Sequence, residues 1–220
     1  MSEVLFYFAL FISYSFIGWL FEVCCVFYAE RRFVDRGFLI GPYCPIYGFS
    51  GLIMVLTLNK YINDPIIVFV IIVVIASIME YITSYLMEKI FKARWWDYSK
   101  MTFNINGRIC LEISLLFGIL GFVLIYIVNP HLVDFLKQND GLLLTSISGF
   151  ILFLFIIDSI ISFNVIRNLQ FTADAIKKDY TGEITDKVRE ILYQKSRLAK
   201  RLLRAFPDFI ILNIRIKLKK

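Results

Sequence analysis

The stretch FKARWWDYSKMTFNINGRICLE, Phe91–Glu112, is a polar connection between two apolar runs. It carries two adjacent tryptophans, two asparagines and four basic residues. Upstream, ERRFVDRGFLIGPYC, Glu30–Cys44, has a similar outline. Moved along the chain, Ser15–Asp35 lies without gaps on Ser77–Asp97. Ser15 then meets Ser77, Trp19 meets Tyr81, and Arg32–Asp35 meets Arg94–Asp97. After a short insertion Phe38 meets Phe103, and Gly41–Cys44 meets Gly107–Cys110. Each copy reads as a helix, a connection and a returning helix, so the two copies are expected to run parallel about an axis along the membrane normal.

The medium in which such hairpins stand follows from composition. Hydrophobic residues make up 59% of the 220, and mean hydropathy is +0.71; soluble chains average roughly 45–50% apolar. A bilayer core of ~30 Å takes about 20 apolar residues per helix. Val4–Tyr28, Tyr43–Tyr61, Pro65–Met87, Arg108–Val128 and Leu142–Ile166 fit that length. Asn63-Asp64-Pro65 reads as an N-cap with proline at the first turn, and Asn129-Pro130 as the close of the fourth span. The first run has no basic segment before it and is too long for a signal peptide, so it is expected to be a retained helix. Cys24, Cys25, Cys44 and Cys110 lack zinc-ligand spacing and are expected to be free thiols.

Charge supplies the orientation. Of 24 Lys and Arg, all but Lys60 and Lys137 fall in Glu30–Pro42, in Lys89–Arg108 or from Arg167 onward. Lys and Arg favour cytoplasmic loops. Five spans with the N-terminus outside and the C-terminus inside satisfy this in every loop. The expected fold class is therefore an all-α membrane protein with five transmembrane helices. Residues 1–168 form the membrane domain, with repeat copies at about 4–62 and 65–129 and a fifth helix over 142–168. Residues 169–220 form a basic cytosolic tail.

Two places allow alternatives. GFLIGPYCPIYGFSG, Gly37–Gly51, is rich in glycine and proline. Pro42 and Pro45 start a helix but do not continue one. This segment either dips into the membrane before its helix begins or makes an interfacial turn into a short helix. In the tail, Ile184, Val188, Ile191, Leu192, Leu198, Leu202 and Leu203 recur at helical spacing, with Lys187, Arg189, Lys195, Arg197, Lys200, Arg201 and Arg204 around them. Such a helix is expected to lie on the anionic inner leaflet, with packing on the bundle as the other reading.

Acids inside the spans carry the candidate site. At ~1.5 Å per residue, Glu22, Glu80 and Asp158 lie about 22–27 Å from the outer ends of their helices. Glu112 sits one turn above the cytosolic start of its helix, and Glu88 sits at the exit of its own. A charge at the bilayer centre costs on the order of 3 kcal/mol, so these residues are expected to face the bundle interior. Ser15, Gly18, Glu22 and Cys25 share one stripe; Ser77, Glu80 or Tyr81, Ser84 and Glu88 share its counterpart; Ser114, Gly118 and Gly121 form a small-residue seam. The two stripes are expected to face each other. Arg32, Arg36, Arg94 and Arg108 lie at the same level as counter-charges, and Asp35 and Asp97 are expected to pair three residues from Arg32 and Arg94. In one reading this is a structural network closing two loops. In the other it lines a pocket walled by Trp95, Trp96 and Tyr98, with Asn104 and Asn106 offering hydrogen bonds. The second copy holds these aromatic and amide residues where the first does not, so its loop is expected to line the principal cavity. There is no phosphate loop, HExxH or GxSxG, and no metal or cofactor site is expected.

SFIGWLFEV (Ser15–Val23), RRFVDRGFLIGPYCPIYGFSG (Arg31–Gly51), MEYITSYLMEK (Met79–Lys89) and ARWWDYSKMTFNINGRICLE (Ala93–Glu112) resemble the ABC-transporter type IV, or CmpB, family of small bacterial membrane proteins. The likeness covers about Leu5–Val128, and RWWDYS with NGRIC is its specific part. It implies a permease-like role in the inner membrane and, without a phosphate loop, a separate ATPase subunit. At five spans the chain is small for a permease, which favours a homodimer or a non-transport role. Three functions stand open: a permease subunit for a small cationic or amphiphilic solute; an inner-leaflet lipid-binding protein or lipid-modifying enzyme; and a scaffold or regulator acting through the tail. The expected partners are the lipid bilayer, the ATPase and a second copy, with no nucleic acid.

Overall fold

Ser2 caps the first helix, its hydroxyl accepting the Leu5 N–H at 3.4 Å. This helix, α1, runs Glu3–Glu30 and stops at Arg31, whose φ of 54° is left-handed. The computed structural model describes residues 1–91, 93–179, 197–205 and 210–211. Further helices are α2 (Pro45–Leu58), α3 (Pro65–Phe91), α4 (Leu111–Val123), α5 (Asn129–Gln138), α6 (Leu142–Asp179) and α7 (Arg197–Ala205). Asp64 caps α3 as its Asn-Asp-Pro start suggests, accepting the Ile67 N–H at 3.1 Å.

Among the described residues, four helical stretches are long and apolar enough to cross a membrane: Glu3–Glu30, Pro65–Phe91, Leu111–Gln138 and Leu142–Asn168. The chain is a multi-pass membrane protein. The expected second span is shorter, since α2 has only 14 residues. Its length is roughly 21 Å at the helical rise. The cause is the Gly/Pro-rich segment before it. After Arg31 the chain climbs back along α1 without helix until the Cys44 N–H meets the Ser15 carbonyl at 2.9 Å. By the same rise, Ser15 is about 22 Å from the end of α1 at Glu30, so α2 begins part-way up its neighbour. Gly37 permits the turn with φ of 116°. Non-helical backbone at such depth needs protein partners for its polar groups. Asp158 of α6 supplies them, accepting the Ile40 and Gly41 N–H groups at 2.9 and 2.8 Å and the Tyr43 hydroxyl at 2.6 Å.

Each small-residue stripe packs within its own hairpin. A Cβ on Gly18 would stand 2.2 Å from the Tyr47 ring, and one on Gly48 would stand 2.2 Å from Ser15 Oγ. The seam of α4 lies on α3: Gly121 faces Ile72, Gly118 faces Val73, and the Ser77 and Ser114 hydroxyls bond at 2.9 Å. The α1 and α3 stripes nevertheless share one cavity, which Gly18, Glu22 and Glu80 all line. Close backbone approach at small residues is taken up first by the sequence neighbour, and Cys25 is exposed outside the seam. The hairpins join through α2 and α3, where Met54, Leu58, Val68, Ile72, Ala76 and Ile125 form a buried cluster.

Asn129-Pro130 does not close the fourth span, because the helix passes through it to Gln138. Pro130 lacks the N–H that α-helical bonding requires, and a π-helical turn over Leu124–Val128 absorbs the mismatch. Tyr14 of α1 donates to Asn129 Oδ1, at the start of α5, at 2.6 Å. At the same end Met1 N meets Asp140 at 2.6 Å, and the Tyr126 hydroxyl donates to the Ile62 carbonyl. The outward flanks are apolar, with Ile66, Leu142 and Phe150 exposed, which suits lipid.

In the tail, α7 packs against α6, and Leu202 and Ala205 are buried. Arg201 pairs with Asp35 at 2.8 Å, and the Arg36 guanidinium donates to the Ala205 carbonyl. This part of the tail therefore rests on protein rather than lying free for the membrane surface. A two-residue strand, Ile210–Ile211, pairs antiparallel with Ala93–Arg94 at the end of α3. Ile184, Lys187, Val188, Arg189, Ile191, Leu192 and Lys195 lie outside the described residues.

Candidate functional site

A cavity of about 400 Å³ opens between the hairpins, with residues of both α1 and α3 in its lining. Its walls come from α1, α2, α3, α4 and the two re-entering connections. Six of the candidate site residues line it: Glu22, Arg36, Glu80, Trp95, Trp96 and Tyr98. Tyr14, Tyr47, Met54, Phe117 and Leu124 also line it, and none of them is among the candidate site residues. Gly18 was the available signal for Tyr47, since a missing side chain one turn before Glu22 makes the space its ring fills.

The two carboxylates differ. Glu22 is satisfied at both oxygens: the Tyr47 hydroxyl donates to Oε1 at 2.7 Å and Arg36 Nε to Oε2 at 3.2 Å. Glu80 is only 3% exposed. Its Oε1 accepts from the Tyr98 hydroxyl at 3.0 Å, while Oε2 is buried with no hydrogen-bond partner. Burial first, then the Glu80 carboxylate, hold the Tyr98 hydroxyl well above its usual range, so Tyr98 stays a neutral donor.

A second cluster, outside the cavity wall, fixes the Lys89–Arg108 connection. Glu88 Oε2 takes Arg94 Nε at 3.0 Å and Arg108 Nη2 at 2.9 Å. Arg94 also reaches Asp97 at 3.6 Å, and Arg108 donates to Ser84 Oγ at 3.1 Å. The Arg108 guanidinium lies over the Tyr81 ring at 5.7 Å and over the Tyr85 ring at 5.6 Å. Both are within cation–π range. Trp96 is held by its ring N–H on the Arg108 carbonyl at 3.0 Å. This cluster has the character of the structural reading: it locks the loop so that Trp95, Trp96 and Tyr98 face inward.

The remaining candidates lie elsewhere. Asn104 builds the turn, accepting the Gly107 N–H at 3.1 Å and donating to the Met101 carbonyl at 2.8 Å. Asn106 has φ of 54° and donates to the Tyr81 hydroxyl at 3.0 Å. Their residue type answers to turn geometry. Glu112 is exposed. Arg32 is exposed beside Glu30, and the expected Arg32–Asp35 pair gives way to Asp35 with Arg201 and the Trp19 ring N–H. Asp158 serves the Ile40–Tyr43 backbone and stands outside the cavity lining. Among the described residues, no group of three or more His, Cys, Asp or Glu could hold a metal.

The family model described as "Putative ABC-transporter type IV" matches residues 9–163. The chain belongs to that family. No curated protein and no solved structure matches it.

Proposed function

We propose that this member of the ABC-transporter type IV family is the membrane subunit of a bacterial inner-membrane transporter, with its solute held in the cavity between the hairpins. The observation that carries the reading is Glu80, which lines a largely apolar cavity and whose carboxylate has one oxygen buried without a hydrogen-bond partner. A structural carboxylate at that depth would be expected to have both oxygens engaged, as Asp158 does. Free acid in an apolar wall favours a cationic or amphiphilic solute. Energy would come from a separate ATPase chain, for which the cytosolic loops and tail offer a platform. The five-span arrangement, the outside N-terminus, the duplicated hairpins and a second copy belong to the same proposal. Uptake of a panel of labelled amines is expected to differ between cells with and without the gene. Unchanged accumulation of every amine, with the protein present in the membrane, would overturn the reading.

A further inference from the structure

Among the described residues, the arginines nearest the cavity are committed to partners other than Glu80. Arg36 is engaged by Glu22 and the Ala205 carbonyl. Arg94 and Arg108 are engaged by Glu88 on the far side of the loop. The local charge is thus one carboxylate neutralised by one guanidinium, and a second carboxylate left over. A buried carboxyl in this position either keeps a proton or takes a cation from the cavity.

The walls choose among cations. A divalent metal demands six or more oxygens or several carboxylates, and the described residues offer no such group. The cavity that Glu80 lines is largely apolar and aromatic, with Tyr14, Met54, Phe117, Leu124 and Trp95 among its lining residues. Such a surface suits methylenes or a ring, and an ammonium beside Trp and Tyr faces gains cation–π attraction. The Glu80 carboxylate lacks a partner for one of its oxygens, so the ligand should bring a donor. The excess of a single negative charge matches a single positive one, since a second ammonium would compete with Arg36 for Glu22.

We propose that the cavity binds a monoammonium compound with an apolar body, its N–H directed at the Glu80 carboxylate. This deepens the transporter reading and rests on it for the route by which solute enters. Binding to purified protein needs no transport, so it separates the two.

The full-length protein in lipid nanodiscs would be titrated with phenethylamine, read by its tryptophan fluorescence, since Trp95 and Trp96 line the cavity. Phenethyl alcohol tests the charge, the N-trimethylated amine tests the N–H, and putrescine tests the charge count. Saturable binding of phenethylamine is expected, at least about tenfold tighter than the other three, the factor that ~1.4 kcal/mol of charge-assisted hydrogen bonding supplies. Glu80→Gln is expected to remove that preference, and Glu112→Gln, at an exposed site, to keep it. Equal affinity for amine and alcohol, amine preference retained in Glu80→Gln, or no saturable signal with any probe would each overturn the proposal. The ligand series on the unmodified protein stands even if Glu80→Gln fails to fold. If phenethylamine binds as expected while cellular uptake is unchanged, the transporter reading fails and the site survives.

Discussion

At Glu22 and Glu80, neutralisation should have opposite consequences. Glu22→Gln leaves the half-buried Arg36 without its carboxylate. Removing one partner of a buried pair costs ~3–5 kcal/mol at full burial, and these side chains, 22% and 29% exposed, should show part of that. Glu80→Gln removes a charge that had no ionic partner, and the amide still accepts from Tyr98. The expected outcome is a lowered melting temperature in nanodiscs for Glu22→Gln and little change for Glu80→Gln. Equal losses would mean that Glu80 has a structural partner after all. Asp158→Ala should be more damaging than either, because it strands the Ile40 and Gly41 N–H groups. Each stranded group costs roughly 1–3 kcal/mol. Sequence alone made these acids look equivalent: each lies in a span, at similar depth. What separates them is whether a distant segment arrives to use the oxygens. Besides Ser162 of its own helix, the partners of Asp158 come from residues 40–43, on another segment entirely. Asn104 and Asn106 misled for the same reason, since an amide suited to a ligand is also suited to a tight turn.

At the scale of elements, the helices were legible and their junctions were not. Apolar length located the four long spans. Gly37–Gly51 announced an interrupted segment, and the re-entrant alternative describes the climb to Ser15. Pro130 reads as a stop because local rules end helices there; a π turn was the other solution. The tail shows how tertiary contact decides what amphipathicity leaves open. A basic helix can lie on lipid or on protein, and Arg201 with Asp35 favours protein. Reversing Asp35 to Arg should loosen α7 and speed tryptic cleavage in the tail. Adding Arg201→Asp should restore protection. No difference between single and double reversals would remove that ion pair as the anchor. Gly18→Ala tests the other junction: overpacking costs ~1–3 kcal/mol, and the displaced Tyr47 ring should release Glu22 and lower the melting temperature.

For the molecule as a whole, the two ends differ in charge. One gathers Met1, Ile62, Tyr126 and Asp140 through direct contacts. The other gathers Arg36, Arg94, Arg108 and Arg201 around acids of the loops and helix ends. Lysine and arginine excess marks the cytoplasmic side because cationic loops are held back from translocation. We therefore propose that the Met1 end is outside. Cys44 and Cys110 are too buried to report on this, so reporters belong at exposed lysines. Lys60 lies between α2 and α3 near Ile62, and Lys100 lies in the basic connection. In intact cells an impermeant maleimide should label Lys60→Cys, with the unmodified protein as background. Lys100→Cys should react only after the membrane is opened. The two positions are separated by a single helix, α3, of 27 residues. At the helical rise that is about 40 Å, so a spanning α3 allows only one of them to face outward. Labelling of Lys100→Cys alone from outside would invert the molecule, and with it the side from which solute and ATPase are expected to approach the cavity.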